Sequence, residues 1–154
     1  VLEHPRSPVG TIEIREEACT ACTMCAQSCP TGALAQEHEE QSVVVTFDGV
    51  LCVGCGQCLR TCPEEERGAI VLSRKTDFAV LNRGRTLLLR DQTTRCTSCG
   101  SPIAPKRMME RIEELLGSEH AATLEVLNRY CLDCRGRPVA DERVGGRANH
   151  GFPK

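Results

Sequence analysis

Twelve cysteines are the residues of this 154-residue chain whose type and spacing could do chemistry. The first four lie in the stretch CTACTMCAQSCP, residues 19–30, with a proline directly after the last cysteine. The stretch CVGCGQCLRTCP, residues 52–63, repeats the same spacing with different residues between the cysteines. The other four form two C-x-x-C pairs, Cys96 with Cys99 and Cys131 with Cys134. Thiolates so close in sequence converge well on one metal centre.

A disulfide scaffold is the alternative use of so many cysteines. All twelve fall into C-x-x-C steps or their extension, and a bridge between such close neighbours is mostly a feature of redox enzymes. Metal binding in a reducing compartment is therefore favoured, and we expect a cytoplasmic protein. The sequence shows no apolar run of membrane-spanning length and no signal peptide. Because the chain begins at Val1, a removed export signal or a larger parent protein stays open.

The composition offers little material for a conventional core. Hydrophobic residues make up 40% of the chain, but that total includes the cysteines, and there is no Trp, one Tyr and three Phe. Metal centres are expected to supply the missing stability. The net charge of −2 argues against a basic nucleic-acid binder. Residues 1–67 carry 4 basic and 11 acidic side chains and residues 68–154 carry 15 and 10, which suggests two modules.

The first module contains an internal repeat. Thr11–Arg15 and Val43–Phe47 alternate like short strands, and each leads into a run of cysteines. Each run then exits through a proline into a second apolar segment, Ala33–Leu34 or Ala69–Leu72. The order strand, cysteine loop, short helix and strand therefore occurs twice, and we expect the halves to pack about a pseudo-twofold axis. The predicted fold class is α+β.

The rest of the chain is predicted in three parts. Phe78–Leu81 and Thr86–Leu89 flank Asn82-Arg-Gly84 and predict a β-hairpin within a linker, residues 76–95. Apolar residues at helical spacing after Pro105, and a second helix at about 119–130, predict a helical hairpin in a metal-stabilised module, residues 96–137. Residues 138–154 are rich in Gly and Arg and predict an extended tail.

Residues 11–75 resemble a bacterial-type ferredoxin domain with two [4Fe-4S] clusters, because the motif C-x2-C-x2-C-x3-C-P occurs twice and intact. We therefore predict a dicluster domain at residues 1–75. In this motif the first three cysteines bind one cluster and the fourth binds the other. The resemblance implies one cluster on Cys19, Cys22, Cys25 and Cys62, and a second on Cys52, Cys55, Cys58 and Cys29.

Other metals remain open for both sets of cysteines. Structural zinc in two treble-type sites is the alternative for the first eight, although zinc motifs rarely contain C-x2-C-x2-C. For Cys96, Cys99, Cys131 and Cys134 we predict a closed tetrahedral zinc site, with a single iron or a third cluster as alternatives. The same pattern occurs in zinc ribbons that bind nucleic acid, but aromatic residues for base stacking are nearly absent.

These features predict an electron carrier rather than a catalyst, with no catalytic residues of its own. We expect a subunit or domain of a larger oxidoreductase, similar to the small iron–sulfur subunits of hydrogenase and formate-oxidising complexes. Its partners would be the catalytic and electron-accepting subunits, with no nucleic acid and no membrane span. A freely diffusing ferredoxin and an iron–sulfur sensor that binds nucleic acid through the C-terminal module are the alternatives.

Overall fold

The structure is a computed structural model, and it describes residues 2–3 and 7–136. The predicted tail, residues 138–154, lies outside the described residues, as does the last residue of the predicted module. The strands are β1 (Leu2–Glu3), β2 (Thr11–Ile14), β3 (Leu34–His38), β4 (Ser42–Asp48), β5 (Ile70–Ser73), β6 (Lys75–Thr76), β7 (Arg85–Arg95) and β8 (Pro102–Pro105). The helices are α1 (Met24–Gln27), α2 (Gln57–Arg60), α3 (Phe78–Asn82), α4 (Lys106–Leu116) and α5 (Ala121–Arg129). The chain is thus a mixed α and β protein.

The two cysteine runs follow the predicted order of elements. The first run lies between β2 and β3 and includes α1, and the second lies between β4 and β5 and includes α2. β2 pairs antiparallel with β5, and β3 pairs antiparallel with β4. Ser28 and Thr61, which occupy equivalent positions 33 residues apart, share a hydrogen bond of 2.8 Å between their hydroxyl groups. Each pairing joins one half to the other, while a pseudo-twofold relation of the halves stays a prediction.

The core lies between these strands and the cysteine loops. Its apolar members include Ile12, Leu34, Val45, Phe47 and Leu89, and cysteines of both runs pack against them. Alternation along β4 is incomplete, because five consecutive residues from Val43 to Phe47 are buried. A strand covered on both faces has this pattern. Six of the first eight cysteines belong to this core or pack against it, whereas Cys55 is exposed.

The predicted hairpin at residues 78–89 is wrong. Phe78–Asn82 form helix α3, and the Asp77 carboxylate accepts a hydrogen bond of 2.9 Å from the amide of Ala79, as a helix cap does. Residues 85–95 are a strand, but β7 pairs with β4 and β8 rather than with the preceding segment. The seven-residue, buried strand β4 offers more backbone pairing than a four-residue hairpin arm, so β7 joins its sheet in the order β3-β4-β7-β8.

The two predicted C-terminal helices are present as α4 and α5. A turn of 3-10 helix, Ser118–His120, joins them after Gly117, where φ is +66°. Met109 and Leu124 are the buried residues of the two helices, whereas Leu115 is 65% exposed. None of the helices in the described part of the chain is long and apolar enough to cross a membrane.

The pairing of β7 with β4 predicts a local stability test. Leu89 is 1% exposed and lies opposite Val45, so Leu89→Ala is expected to lower the free energy of unfolding by about 2–5 kcal/mol. Leu87→Ala on the same strand is the control, since Leu87 is 54% exposed and a change within about 0.5 kcal/mol is expected. Anaerobic urea unfolding followed by circular dichroism measures both values. Equal losses would contradict the packing of β7 on β4.

Candidate iron–sulfur and metal sites

The first eight cysteines line two separate cavities. One cavity is lined by Cys19, Cys22, Cys25 and Cys62. Three of these thiols come from the first run, and the fourth comes from the end of the second. The pairing of β2 with β5 closes this arrangement, because it brings Ile70 next to Ile14 across the cavity wall.

The other cavity is lined by Cys52, Cys55, Cys58 and Cys29. Here the fourth thiol comes from the end of the first run, just before β3. Leu34 and Phe47, which face each other in the β3–β4 ladder, form part of the wall. The two sets of thiols are those that the resemblance implies, while the ligation of a cluster by them stays a prediction.

The two cysteine loops have the same unusual backbone conformation at equivalent positions. Ala21 and Thr23 have φ of +56° and +61°, and Gly54 and Gly56, each 33 residues later, have φ of +61° and +73°. Left-handed φ is costly for alanine and more so for a β-branched threonine. The amide of Ala21 lies 3.4 Å from the Cys19 sulfur as a hydrogen-bond donor. The first loop thus points the Ala21 amide at the Cys19 sulfur, and hydrogen bonds to sulfur are one of the factors that tune an iron–sulfur site.

The thiols resist ionisation where they are most crowded. Burial first, and then the neighbouring Cys19 and Cys22, raise the pKa of Cys25 to about 12. Burial likewise raises the pKa of Cys58 to about 11, with Cys52 adding to the effect. Several buried thiolates in one cavity require a positive centre to offset their charge. Four soft sulfur ligands around each cavity therefore fit an iron–sulfur cluster.

Cys29 differs from these thiols because it receives more hydrogen bonds. Burial raises its pKa, but hydrogen bonds from Leu34 and Thr31 outweigh burial and lower it overall. The amide of Leu34 is 3.5 Å and the hydroxyl of Thr31 is 3.7 Å from the sulfur. Hydrogen bonds to sulfur stabilise the thiolate form. These hydrogen bonds favour the thiolate form of Cys29, which is the form that binds metals.

The last four cysteines form a more compact group. The sulfur atoms of Cys96, Cys99, Cys131 and Cys134 all lie within 4.8 Å of one another, and those of Cys99 and Cys131 are 3.6 Å apart. Ligands about 2.3 Å from one tetrahedral ion lie roughly 3.8 Å apart. Among the described residues, these four are the group whose ligand atoms come so close together. The spacing fits a single metal ion better than a cluster.

The protein backbone holds the two C-x-x-C pairs of this group against each other. The amide of Thr97 donates to the carbonyl of Arg129 at 2.8 Å, and its hydroxyl donates to the same oxygen at 3.1 Å. Cys96, Cys131 and Cys134 are buried, with Ile103 and Tyr130 packed against them, whereas Cys99 is exposed. Strand β7 delivers the first pair and helix α5 delivers the second, so the site closes the C-terminal part of the fold.

Sequence reasoning missed the role of α4 beside the first cavity. The acidic stretch Glu64–Glu66 follows the second cysteine run, and Glu65 and Glu66 are exposed. The Glu64 side chain is only 11% exposed and forms ion pairs with Arg67 at 3.0 Å and Arg111 at 3.2 Å. The spacing of Arg107 and Arg111, one helical turn apart, was the signal for a basic face on α4.

An apolar patch is exposed next to the second cavity. Val50, Leu51 and Val53 are 63%, 41% and 54% exposed. They flank Cys52, and Cys55 in the same loop is itself exposed. Exposed apolar side chains gathered on one loop are typical of a surface that meets another protein.

Comparison with known proteins agrees with this geometry. The 4Fe-4S dicluster domain family matches residues 18–67, which contain the first eight cysteines. NADH-quinone oxidoreductase subunit I 2 of Streptomyces coelicolor is 29% identical over 77 residues, which are 40% of this chain and only 39% of that protein. An uncharacterized ferredoxin of Methanocaldococcus jannaschii is 27% identical over 138 residues, 82% of this chain and 72% of that one.

The chain therefore contains an iron–sulfur ferredoxin domain of the 4Fe-4S dicluster type. A four-cysteine group that could bind a metal follows it toward the C-terminus. Iron–sulfur electron transfer is the activity that this class of domain supports.

The exchange of the fourth cysteine between the two cavities can be tested by mutation. Cys29→Ser is expected to perturb the cluster of Cys52, Cys55 and Cys58 and to leave the other nearly intact, because Cys29 lines only the second cavity. Cys62→Ser is the matched control and should give the reverse pattern. Electron paramagnetic resonance of the reduced proteins separates the two signals. A loss confined to the cluster of the same run would contradict the predicted ligand sets.

Proposed function

We propose that this protein transfers electrons through two [4Fe-4S] clusters as a subunit or domain of a larger oxidoreductase complex. The observation that carries the proposal is the sorting of eight cysteines into two four-thiol cavities, each completed by a cysteine of the other run. When bound, the clusters accept and release single electrons. The cysteines hold them, and the backbone donors of the strained loops lower the charge on sulfur.

A larger complex is supported by two observations. The Streptomyces relative is named as a subunit of NADH-quinone oxidoreductase. The exposed patch of Val50, Leu51 and Val53 lies beside the second cavity, where a docked subunit would approach that cluster through little intervening protein. The partners on this proposal are a catalytic subunit and an electron-accepting subunit. We also propose a cytoplasmic location and no catalytic residues in this chain.

A freely diffusing ferredoxin is the second candidate. It is favoured by the Methanocaldococcus relative, which is named a ferredoxin and aligns with most of this chain. Purification from the native source under anaerobic conditions separates the candidates. A stable assembly containing other subunits supports the complex, whereas a monomer of 16.8 kDa supports the diffusible carrier.

For the C-terminal group we propose one structural zinc ion on Cys96, Cys99, Cys131 and Cys134, with a single iron as the alternative. The closeness of the four sulfurs supports one ion, and a closed set of four thiolates is typical of structural zinc. Zinc has no redox chemistry, so its part would be to stabilise the fold around α4 and α5.

Metal analysis tests the whole assignment. Protein purified without oxygen is expected to contain about eight iron atoms, about eight labile sulfides and about one zinc per chain, from two clusters and one ion. Elemental analysis and a labile-sulfide assay provide the numbers. About four irons, or two to three zincs, would contradict the assignment.

Removal of the C-terminal ion should loosen the helices around it. The double variant Cys131→Ser with Cys134→Ser is expected to lose zinc, keep its iron and exchange amide hydrogens faster in α4 and α5, because binding energy of the ion is part of their folding energy. Hydrogen exchange with mass spectrometry measures this. The control is Leu132→Ser, a change in the same loop at a side chain that is 81% exposed. Equal exchange rates in both variants would show that the site does not support the helices.

A further inference from the structure

Helix α4 places two arginines against the segments that carry the first and last thiols of the first cavity. Arg107 and Arg111 are four residues apart and share one face of the helix. Arg107 contacts the segment just before Cys19, and Arg111 contacts the segment just after Cys62. The C-terminal part of the chain therefore reaches the first cavity through charged contacts.

Arg107 is held by two carboxylates. Its guanidinium lies 2.7 Å from the Glu16 carboxylate and also donates to the main-chain oxygen of Glu16. On the other side it lies 3.5 Å from the carboxylate of Asp91, which accepts a hydrogen bond of 3.0 Å from the Arg107 amide as well. The side chain is 27% exposed, so solvent screens its charge only in part.

The charge of Arg107 acts on the first cavity. Arg107 and Cys19 line a common groove between α4 and the cysteine loop. The guanidinium therefore lies on the same groove as the Cys19 thiol. A positive charge there favours any further negative charge on a group bound to Cys19.

Arg111 contacts the same cavity from its other end. Its guanidinium lies 3.2 Å from the Glu64 carboxylate, two residues after Cys62, and 3.1 Å from Glu114 on α4. Glu64 lines the first cavity together with Cys62, so its negative charge lies beside the thiols. Each arginine thus pairs with a carboxylate next to one of the thiols, and Glu64 is paired with Arg67 as well.

The second cavity has no matching charges at the equivalent positions. Thirty-three residues after Glu16 stands Gly49, and the residue two after Cys29, which matches Glu64, is Thr31. The repeat is therefore neutral where the first site carries two carboxylates. The arginines of α4 pair with both of these carboxylates of the first site.

We propose that Arg107 and Arg111 set the reduction potential of the cluster on Cys19, Cys22, Cys25 and Cys62, by offsetting Glu16 and Glu64. The inference rests on the proposed function, since it requires the two clusters. Reduction adds one electron and forms or breaks no covalent bond, so nearby charge changes its free energy directly. Guanidinium groups favour the added negative charge, and carboxylates oppose it. On this proposal the C-terminal part of the chain supplies the positive charges that raise the reduction potential of the first cluster.

The test is an anaerobic redox titration of the full-length protein, with mediators and dithionite, followed by electron paramagnetic resonance. Arg107→Gln is expected to lower the equilibrium constant for reduction of the first cluster by about tenfold, equal to a fall of ~59 mV, and to leave the second nearly unchanged. Glu16→Gln should raise the potential of the first cluster. The double variant should return close to the unmutated protein. Spectra of Cys29→Ser and Cys62→Ser assign the two signals.

The control is Arg129→Gln, which removes a similar ion pair, 2.9 Å to Glu125, on helix α5. Neither potential should move in this variant. Opposite shifts for Arg107→Gln and Glu16→Gln support a charge effect, whereas shifts in the same direction show that the pair acts only through structure and overturn the inference. If the protein holds two clusters and neither Arg107→Gln nor Glu16→Gln shifts the potential of the first, the inference is overturned but the proposed function stands. Wild-type protein that holds fewer than two clusters overturns the proposed function itself.

Discussion

The antiparallel pairing between the two cysteine-bearing halves is the constraint on which the rest of the structure depends. β3, at the end of the first half, pairs with β4, at the start of the second. β2, at the start of the first half, pairs with β5, at the end of the second. This crossing carries Cys29 to the second cavity and Cys62 to the first. Neither cavity is complete within one half, and a change that separated the halves would leave each with three thiols.

Cysteine thiols form part of the hydrophobic core. The buried residues Val45, Phe47 and Leu89 lie in the same cluster as Cys52 and Cys58. A chain with so few aromatic residues buries little apolar surface by itself. Metal–thiolate bonds in the core would add cross-links where side-chain packing is thin. Stability and cofactor content are therefore expected to be coupled in this protein.

The C-terminal part is joined to the ferredoxin domain by sheet and by charge. β7 belongs to the sheet of β3 and β4 and ends next to Cys96, so the two parts share a strand. The basic side chains Arg107 and Arg111 on α4 pair with acidic residues of the ferredoxin domain. The charge difference between the two portions of the sequence thus serves contacts within the chain. These arginines are correspondingly less available to an external anionic partner.

The sequence by itself determined the two cysteine runs, the strands that flank them and the two C-terminal helices. The identical cysteine spacing predicted that the two runs have the same backbone conformation, because closely spaced ligands to one centre restrict the intervening residues. Ala21 and Gly54, at matching positions, both have the left-handed conformation. Only the tertiary structure decided where β7 pairs and what α4 touches. The segment 78–89 looks like a hairpin in isolation, but a strand takes the partner that buries most, and β4 is remote in sequence. Glu64 and Arg111 are 47 residues apart in sequence. Which charged side chains pair over such a separation depends on the tertiary fold, and the sequence pattern does not reveal it.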